Sequence, residues 1–217
     1  HLSLRRQRQM CIRDSLYSLF AHVPGLKIVV PSNAYDAKGM MIEAIRDDNP
    51  VMYFFHKGIM GLLWMAYFTG STTHVPEESY TVPFGKAKVV REGNDITLVT
   101  LSQMVHKTMQ AAETLESDGL SVEVIDLRTL VPLDKDTILN SVAKTNRLCV
   151  ADEDYLSFGL SGEIAAIVAE NLDSVDLTCP VKRLAVKDVP IPYSPPLENA
   201  AIPQSSDIEN TIRGMMA

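Results

Sequence analysis

Three clusters of polar residues in this sequence have the types and spacing to do chemistry. The first is Ala44-Ile45-Arg46-Asp47-Asp48-Asn49, where a helical pattern stops at two carboxylates and an amide. A helix end leaves carbonyl oxygens without intrahelical partners, at the negative end of the dipole. Oxygen donors of this kind suit a hard cation, and the same residues suit a helix end whose acids simply face water. The second cluster is Asp126 and Arg128, at the end of the apolar run beginning at Val122. In open α/β sheets ligands collect beyond the carboxyl ends of strands; a salt-bridged strand exit gives the same pattern. The third is Asp152-Glu153-Asp154-Tyr155, followed by Phe158-Gly159-Leu160-Ser161-Gly162-Glu163. Two glycines ahead of a helix can let an anion approach its amino end. The acids just upstream oppose a phosphate there, and the pattern is neither a Walker loop nor a dinucleotide fingerprint. His56 and His74 have no nucleophile near them in sequence and read as structural.

The elements that must position these groups follow from the hydrophobic pattern. Residues 26–30 are a β-branched run closed by Pro31, a strand. Ser32 or Asn33 can cap a helix to Arg46 with Ala37, Met40, Met41, Ala44 and Ile45 on one face, and Val51-Met52-Tyr53-Phe54-Phe55 follows Pro50 as the next strand. Strand, helix and strand at this spacing form a parallel βαβ unit, too small to cover its own sheet. Residues 57–81 form a long glycine-containing link whose Trp64, Met65, Tyr67 and Phe68 are suited to packing against another surface. Strands at 86–91 and 96–101 flank Glu92-Gly93-Asn94-Asp95 with the look of a hairpin. Ser102 is placed to cap a helix carrying Met104, Val105, Thr108, Ala112 and Leu115 inward, stopped by Gly119. Asp134 opens a helix with Ile138, Leu139 and Val142 as its stripe. Residues 147–151 and 181–186 are further strands, the first holding Cys149 as a small core hydrophobe. Residues 188–196 read as extended proline-rich chain, and a short helix over 205–215 closes the chain.

Composition bounds the function. The 217 residues are 46% hydrophobic and 22% charged, ordinary for a globular protein, and the net charge of −7 lacks the basic face of a general nucleic-acid binder. No apolar run is long enough to span a bilayer. The three cysteines, Cys11, Cys149 and Cys179, lack metal-type spacing and fit a reducing compartment. Residues 1–15 carry Arg5, Arg6, Arg8 and Arg13 against the single acid Asp14. They read as a non-native or unstructured tail joined to a truncated gene.

Four motifs in order carry a family resemblance: Phe84-Gly85-Lys86-Ala87; the run from Asp126 to Asp134; Gly159-Leu160-Ser161-Gly162-Glu163-Ile164; and Asp188-Val189-Pro190-Ile191-Pro192-Tyr193. They resemble the carboxy-terminal domain of the transketolase-like family. Upstream, residues 16–27 and Ala44-Ile45-Arg46-Asp47-Asp48-Asn49-Pro50 narrow the likeness to the β subunit of the thiamine-diphosphate-dependent dehydrogenase of 2-oxo-acid dehydrogenase complexes. The implied fold is α/β: the carboxy-terminal part of a thiamine-diphosphate-type pyrimidine domain over 16–56, a linker over 57–83, and a complete transketolase-type three-layer α/β domain over 84–217.

The resemblance further implies oxidative decarboxylation of a 2-oxo acid on thiamine diphosphate, followed by reductive acylation of a lipoyl group on the acyltransferase component. It implies a heterotetramer of two α and two β subunits in the bacterial cytoplasm, or the mitochondrial matrix of a eukaryote. The cofactor lies between α and β, with magnesium held largely by α. The family's activating glutamate and substrate-side histidine belong upstream of Leu16, where Cys11-Ile12-Arg13-Asp14 departs from the family pattern. No catalytic or cofactor-binding residue is therefore assigned within this chain, which the resemblance implies is inactive alone. The alternatives are an assembly role without chemistry, or another transketolase-like enzyme. What carries over is a potassium site at Ala44, Ile45, Asp47 and Asn49. The carboxy-terminal domain is expected to meet a second β subunit and to dock the lipoyl acyltransferase.

Overall fold

A computed structural model describes residues 17–59, 69–192 and 194–216. The tail over 1–15 and the aromatic stretch from Trp64 to Phe68 lie outside the described residues. The amino-terminal unit begins with a short helix, α1 (Tyr17–Ala21), then β1 (Lys27–Val29), α2 (Ala34–Arg46) and β2 (Val51–Tyr53). β1 and β2 pair in parallel, Ile28 opposite Met52, as the βαβ pattern requires. Asn33 caps α2 by accepting the Asp36 amide, which satisfies one of the orphan donors of the first turn. The buried side of α2 differs from the expected stripe. Asp36, Gly39 and Met40 are inside, while Ile45 is exposed. Gly39 permits this because a Cβ there would lie 2.5 Å from Val82 and 2.8 Å from the Tyr80 ring. The link's returning arm, through Tyr80 and Val82, packs on this Gly39–Met40 side.

The carboxy-terminal domain contains β3 (Lys88–Arg91), β4 (Ile96–Thr100), α3 (Gln103–Ser117), β5 (Val122–Asp126), β6 (Thr129–Val131), α4 (Lys135–Thr145), β7 (Leu148–Tyr155), α5 (Leu160–Ala169), β8 (Lys182–Val186), α6 (Pro195–Ala201) and α7 (Ser205–Met216). Five strands order as β3-β5-β4-β7-β8, all parallel except β3. Alternation along the strands divides the core. Ile96, Leu98, Val122 and Val124 pack with Met104 and Leu115 of α3 and Ile208 and Ile212 of α7. Val99, Leu101, Ile125 and Val150 pack with Ile138 and Val142 of α4 and Ile164 and Val168 of α5. Helices on both faces of a buried parallel sheet make the expected three layers.

Residues 86–101 do not form a hairpin. β3 runs antiparallel to β5, with Val89 opposite Ile125, whereas β4 lies on β5's other side with Leu98 opposite Val124. The turn between them is tied to the start of β5: the Asn94 and Asp95 amides donate to the Ser121 carbonyl, and Ser121 donates back to Asp95 at 2.7 Å. Gly93 is required at that crossing, because a Cβ would lie 2.2 Å from the backbone of Val122 and Glu123. β4 is buried along its whole length, and burial on both faces favours a central place with parallel neighbours over a hairpin edge.

Ser102 also departs from expectation. It precedes α3 with φ of 54° and makes no capping bond. The proline-rich tail is not extended throughout, because Ser194-Pro195-Pro196 opens the helix α6; proline suits a first turn, whose amides lack partners anyway.

β6 was not anticipated. It leaves its own domain and pairs antiparallel with β1, Ile28 opposite Val131, completing a three-stranded sheet β2-β1-β6.

Candidate functional site

α2 ends at Arg46 with Asp47 in extended conformation, so the carbonyls of Ala44 and Ile45 lie beyond the reach of any helical N–H. The Asp47 carboxylate is engaged on both oxygens. The Lys27 ammonium bonds Oδ2, and the Asn49 backbone and side-chain amides donate to Oδ1 at 2.8 and 2.9 Å. Lys27 first, and then the Asn49 donors, pull its pKa down to about 2. The four residues assigned by resemblance thus meet in one turn. Two carbonyls and the Asn49 amide oxygen have the chemistry for an alkali cation, which backbone carbonyls can dehydrate. The Asp47 carboxylate does not fit that role, since it already holds a cation, Lys27, and closes the turn. Among the described residues no group of three or more His, Cys, Asp or Glu side chains is set to hold a metal.

Asp126 and Arg128 resolve into a joint between domains. Arg128 has φ of 61°, a left-handed turn that returns its amide to Asp126 at 3.1 Å and sends its guanidinium to Asp36, 2.8 and 3.1 Å from the two oxygens. Asp36 is fully buried and also accepts Asn33 at 2.6 Å. Ser32 donates to Asp126. Burial, opposed by Ser32 and assisted by the Asp36 charge, raises Asp126 to about 6. His106 bonds the Ser32 carbonyl at 2.7 Å. This is the salt-bridged strand exit, its partner coming from the other domain.

The first two family motifs meet beside it. The Gly85 amide donates to Thr129 at 3.0 Å and the Ala87 amide to Asp134 at 2.9 Å, while Asp134 also caps α4 through Thr137. The fourth is tied to the turn just ahead of the third, where Ser157 donates to Asp188 at 2.6 Å.

The acids ending β7 are buried although three stand in succession. Asp152 accepts the Tyr17 hydroxyl and Asp154 accepts the Ser18 hydroxyl. Glu153 lies 3.0 Å from His56. Burial raises Asp152 to about 7, against the Tyr17 bond and with the help of the Asp154 charge. Burial also lifts Asp154, despite Ser18 and the Tyr155 and Leu160 amides. His56 is pushed down by burial but pulled further up by Glu153, and ends above its ordinary value. The Leu160 amide opens α5, so Asp154 occupies the helix start that the two glycines could have offered to an anion. Gly159 is needed for this approach, because a Cβ would lie 2.0 Å from the Tyr155 carbonyl oxygen. His74 is exposed. Tyr17, Ser18, His106 and Lys107 were not singled out in sequence; each acquires its role from a partner far along the chain.

A parallel five-stranded sheet with one antiparallel edge, joined to a βαβ unit through a lent strand, is a transketolase-type arrangement. The chain belongs to the transketolase C-terminal domain family, whose model matches residues 85–208; the transketolase pyrimidine binding domain model matches residues 14–61. Within that class it is similar to the β subunits of several oxidoreductases. The chain is 42% identical over 201 residues to the acetoin:2,6-dichlorophenolindophenol oxidoreductase subunit beta of Cupriavidus necator, covering 93% of this chain and 56% of that one. It is 42% identical to the 2-oxoisovalerate dehydrogenase subunit beta of Bacillus subtilis, covering 92% and 59%. It is 41% identical to the pyruvate dehydrogenase E1 component subunit beta of Bacillus subtilis, covering 94% and 59%. The chain therefore spans less than two thirds of the length of these relatives. A solved split-gene transketolase, described as an inactive beta4 tetramer, shares the fold with a TM-score of 0.73 at 22% identity, covering 92% of this chain and 60% of its own.

Proposed function

We propose that this chain serves in the β subunit of a thiamine-diphosphate-dependent 2-oxo-acid dehydrogenase, paired with an α subunit as two of each. The reaction is oxidative decarboxylation of a 2-oxo acid and transfer of the acyl group to a lipoyl acyltransferase. The observation that carries this reading is identity of 41% to 42%, over more than nine tenths of the chain, to three β subunits of such enzymes. Thiamine diphosphate supplies the electron sink for decarboxylation, shared with α, which also holds the magnesium. The described residues of this chain contribute the frame: the Asp36–Arg128 joint and the Tyr17–Asp152 contact fix the pyrimidine-type unit on the carboxy-terminal domain. We place the protein in a bacterial cytoplasm, where the free thiols of Cys149 and Cys179 fit a reducing environment.

Co-expression with a cognate α subunit, followed by a 2-oxo-acid-dependent dye-reduction assay with thiamine diphosphate, tests the proposal. Activity supports it. A stable but inactive complex supports an assembly role instead, and failure to bind any α subunit overturns both.

The same reading places potassium on the Ala44 and Ile45 carbonyls and Asn49, with Asp47 shaping the turn. Exchange of potassium for sodium is expected to lower the melting temperature of the wild-type protein, and Asn49→Ala to abolish the difference. Equal melting in the two salts removes the site.

A further inference from the structure

We propose that Asp152, Glu153 and Asp154 form a proton-operated clasp that holds the amino-terminal unit on the carboxy-terminal domain and slackens as pH rises. Three successive side chains at the end of β7 reach three different points of that unit: Asp152 takes Tyr17, Glu153 takes His56 and Asp154 takes Ser18. A strand alternates its side chains, so the acids project to opposite faces and bracket the seam.

The surroundings decide how the clasp responds. Asp152 faces Tyr17 from α1 and Asp154 and Glu153 from its own strand, accepts the Asp154 amide, and has no ion pair with a cation among the described residues. Its Oδ2 has no hydrogen-bond partner among the described residues. Asp154 faces Ser18 and the Tyr155 and Leu160 amides. Glu153 faces His56 and, from α3, Lys107. Lys107 donates to the Pro203 carbonyl at 3.0 Å and lies near Glu198 and Asp207; His56 also feels Glu198.

Asp152 gains a proton on docking, and its carboxyl, raised to about 7, releases that proton as pH climbs. The resulting charge lies buried beside two other acids, a cost that opening to water relieves. His56, also raised, becomes neutral over the same climb and leaves Glu153 without that counter-charge. Both changes favour release. At the acid end the sign reverses, because Glu153 is lowered and its contribution is lost once it protonates. The clasp is tightest near the ordinary glutamate range and loosens progressively from there to neutrality.

Hydrogen exchange of the full chain, followed by mass spectrometry and corrected for intrinsic exchange, tests this. Peptides covering α1 are expected to lose about tenfold or more in protection between pH 6 and pH 8.5, one pKa unit being worth about tenfold. β4 should stay constant. Asp152→Asn, uncharged yet able to accept from Tyr17, should flatten the α1 response. Asp154→Asn should move its midpoint to lower pH by removing a charge that raises Asp152. Equal protection of wild-type α1 at both pH values overturns the clasp, as does an equal loss in β4 or an undiminished fall in Asp152→Asn. If Asp152→Asn does not fold, the wild-type titration and the Asp154→Asn midpoint decide the matter.

Discussion

Asp47 and Asp152 are the same side chain in opposite circumstances. At the end of α2, Asp47 is surrounded by donors and closed by Lys27, and its pKa falls to about 2. At the end of β7, Asp152 has two neutral donors, the Tyr17 hydroxyl and the Asp154 amide, and acidic neighbours in a fully buried position, and its pKa rises to about 7. A surface carboxylate with a complete set of partners behaves as a local brace. A buried one lacking a cation makes the junction it serves sensitive to protons. The Asp36–Arg128 pair stands between them, as buried as Asp152 but matched by a guanidinium.

The largest expected effect comes from unmatching that pair. Arg128→Met leaves Asp36 buried without its cation and is expected to cost about 3–5 kcal/mol in urea unfolding. Adding Asp36→Leu should recover part of the loss; a single variant as stable as wild type would show that the joint contributes little.

Next is Asp152→Asn. The wild-type carboxyl binds its proton more tightly folded than unfolded, so its contribution is full below the ordinary aspartate pKa near 4 and is lost as pH rises to about 7. The variant should match wild type in acid and exceed it above neutrality by on the order of 2–4 kcal/mol, read from unfolding curves across pH. A constant offset at every pH would contradict the burial of a titrating group.

The smallest effect belongs to Asp47→Asn. Its pKa is lowered, so its contribution is present above the ordinary aspartate range and disappears as pH falls through about 2. Lying near the surface and only part-buried, the pair with Lys27 is open to screening by salt. The variant's melting temperature should approach wild type at high ionic strength, and a large deficit that survives there would contradict a surface brace.

The parts of the fold legible in sequence were those with a local cause. Pro31, Asn33 and Pro50 punctuate the βαβ unit, and the inward stripes of α3 and α4 follow from helical spacing. The 92–95 turn misled because a hairpin and a crossing at the start of β5 share the same turn residues; Gly93's fit against Val122 and the bonds to Ser121 distinguish them. Ala44, Ile45, Asp47 and Asn49 were legible as one turn because they are contiguous, but the engagement of Asp47 required Lys27 from the strand before the helix. The seam was illegible for a related reason. Nothing near Tyr17 or Ser18 announces partners in β7, and Asp152-Glu153-Asp154 reads locally only as acids that oppose a phosphate at the following helix.

The strand lent by β6 has a consequence for how the chain can be made and divided. Ile28 waits for Val131, so during synthesis the amino-terminal sheet has an open edge until the first part of the other domain, through β6, has left the ribosome. Open edges invite pairing with other chains. A gene cut between the two family matches would release an amino-terminal piece prone to stick to its copies, and a carboxy-terminal piece whose β6 has nothing to join. The two units are separate in family but joined in manufacture, and a chimera that exchanges one of them must carry β6 with the sheet it completes.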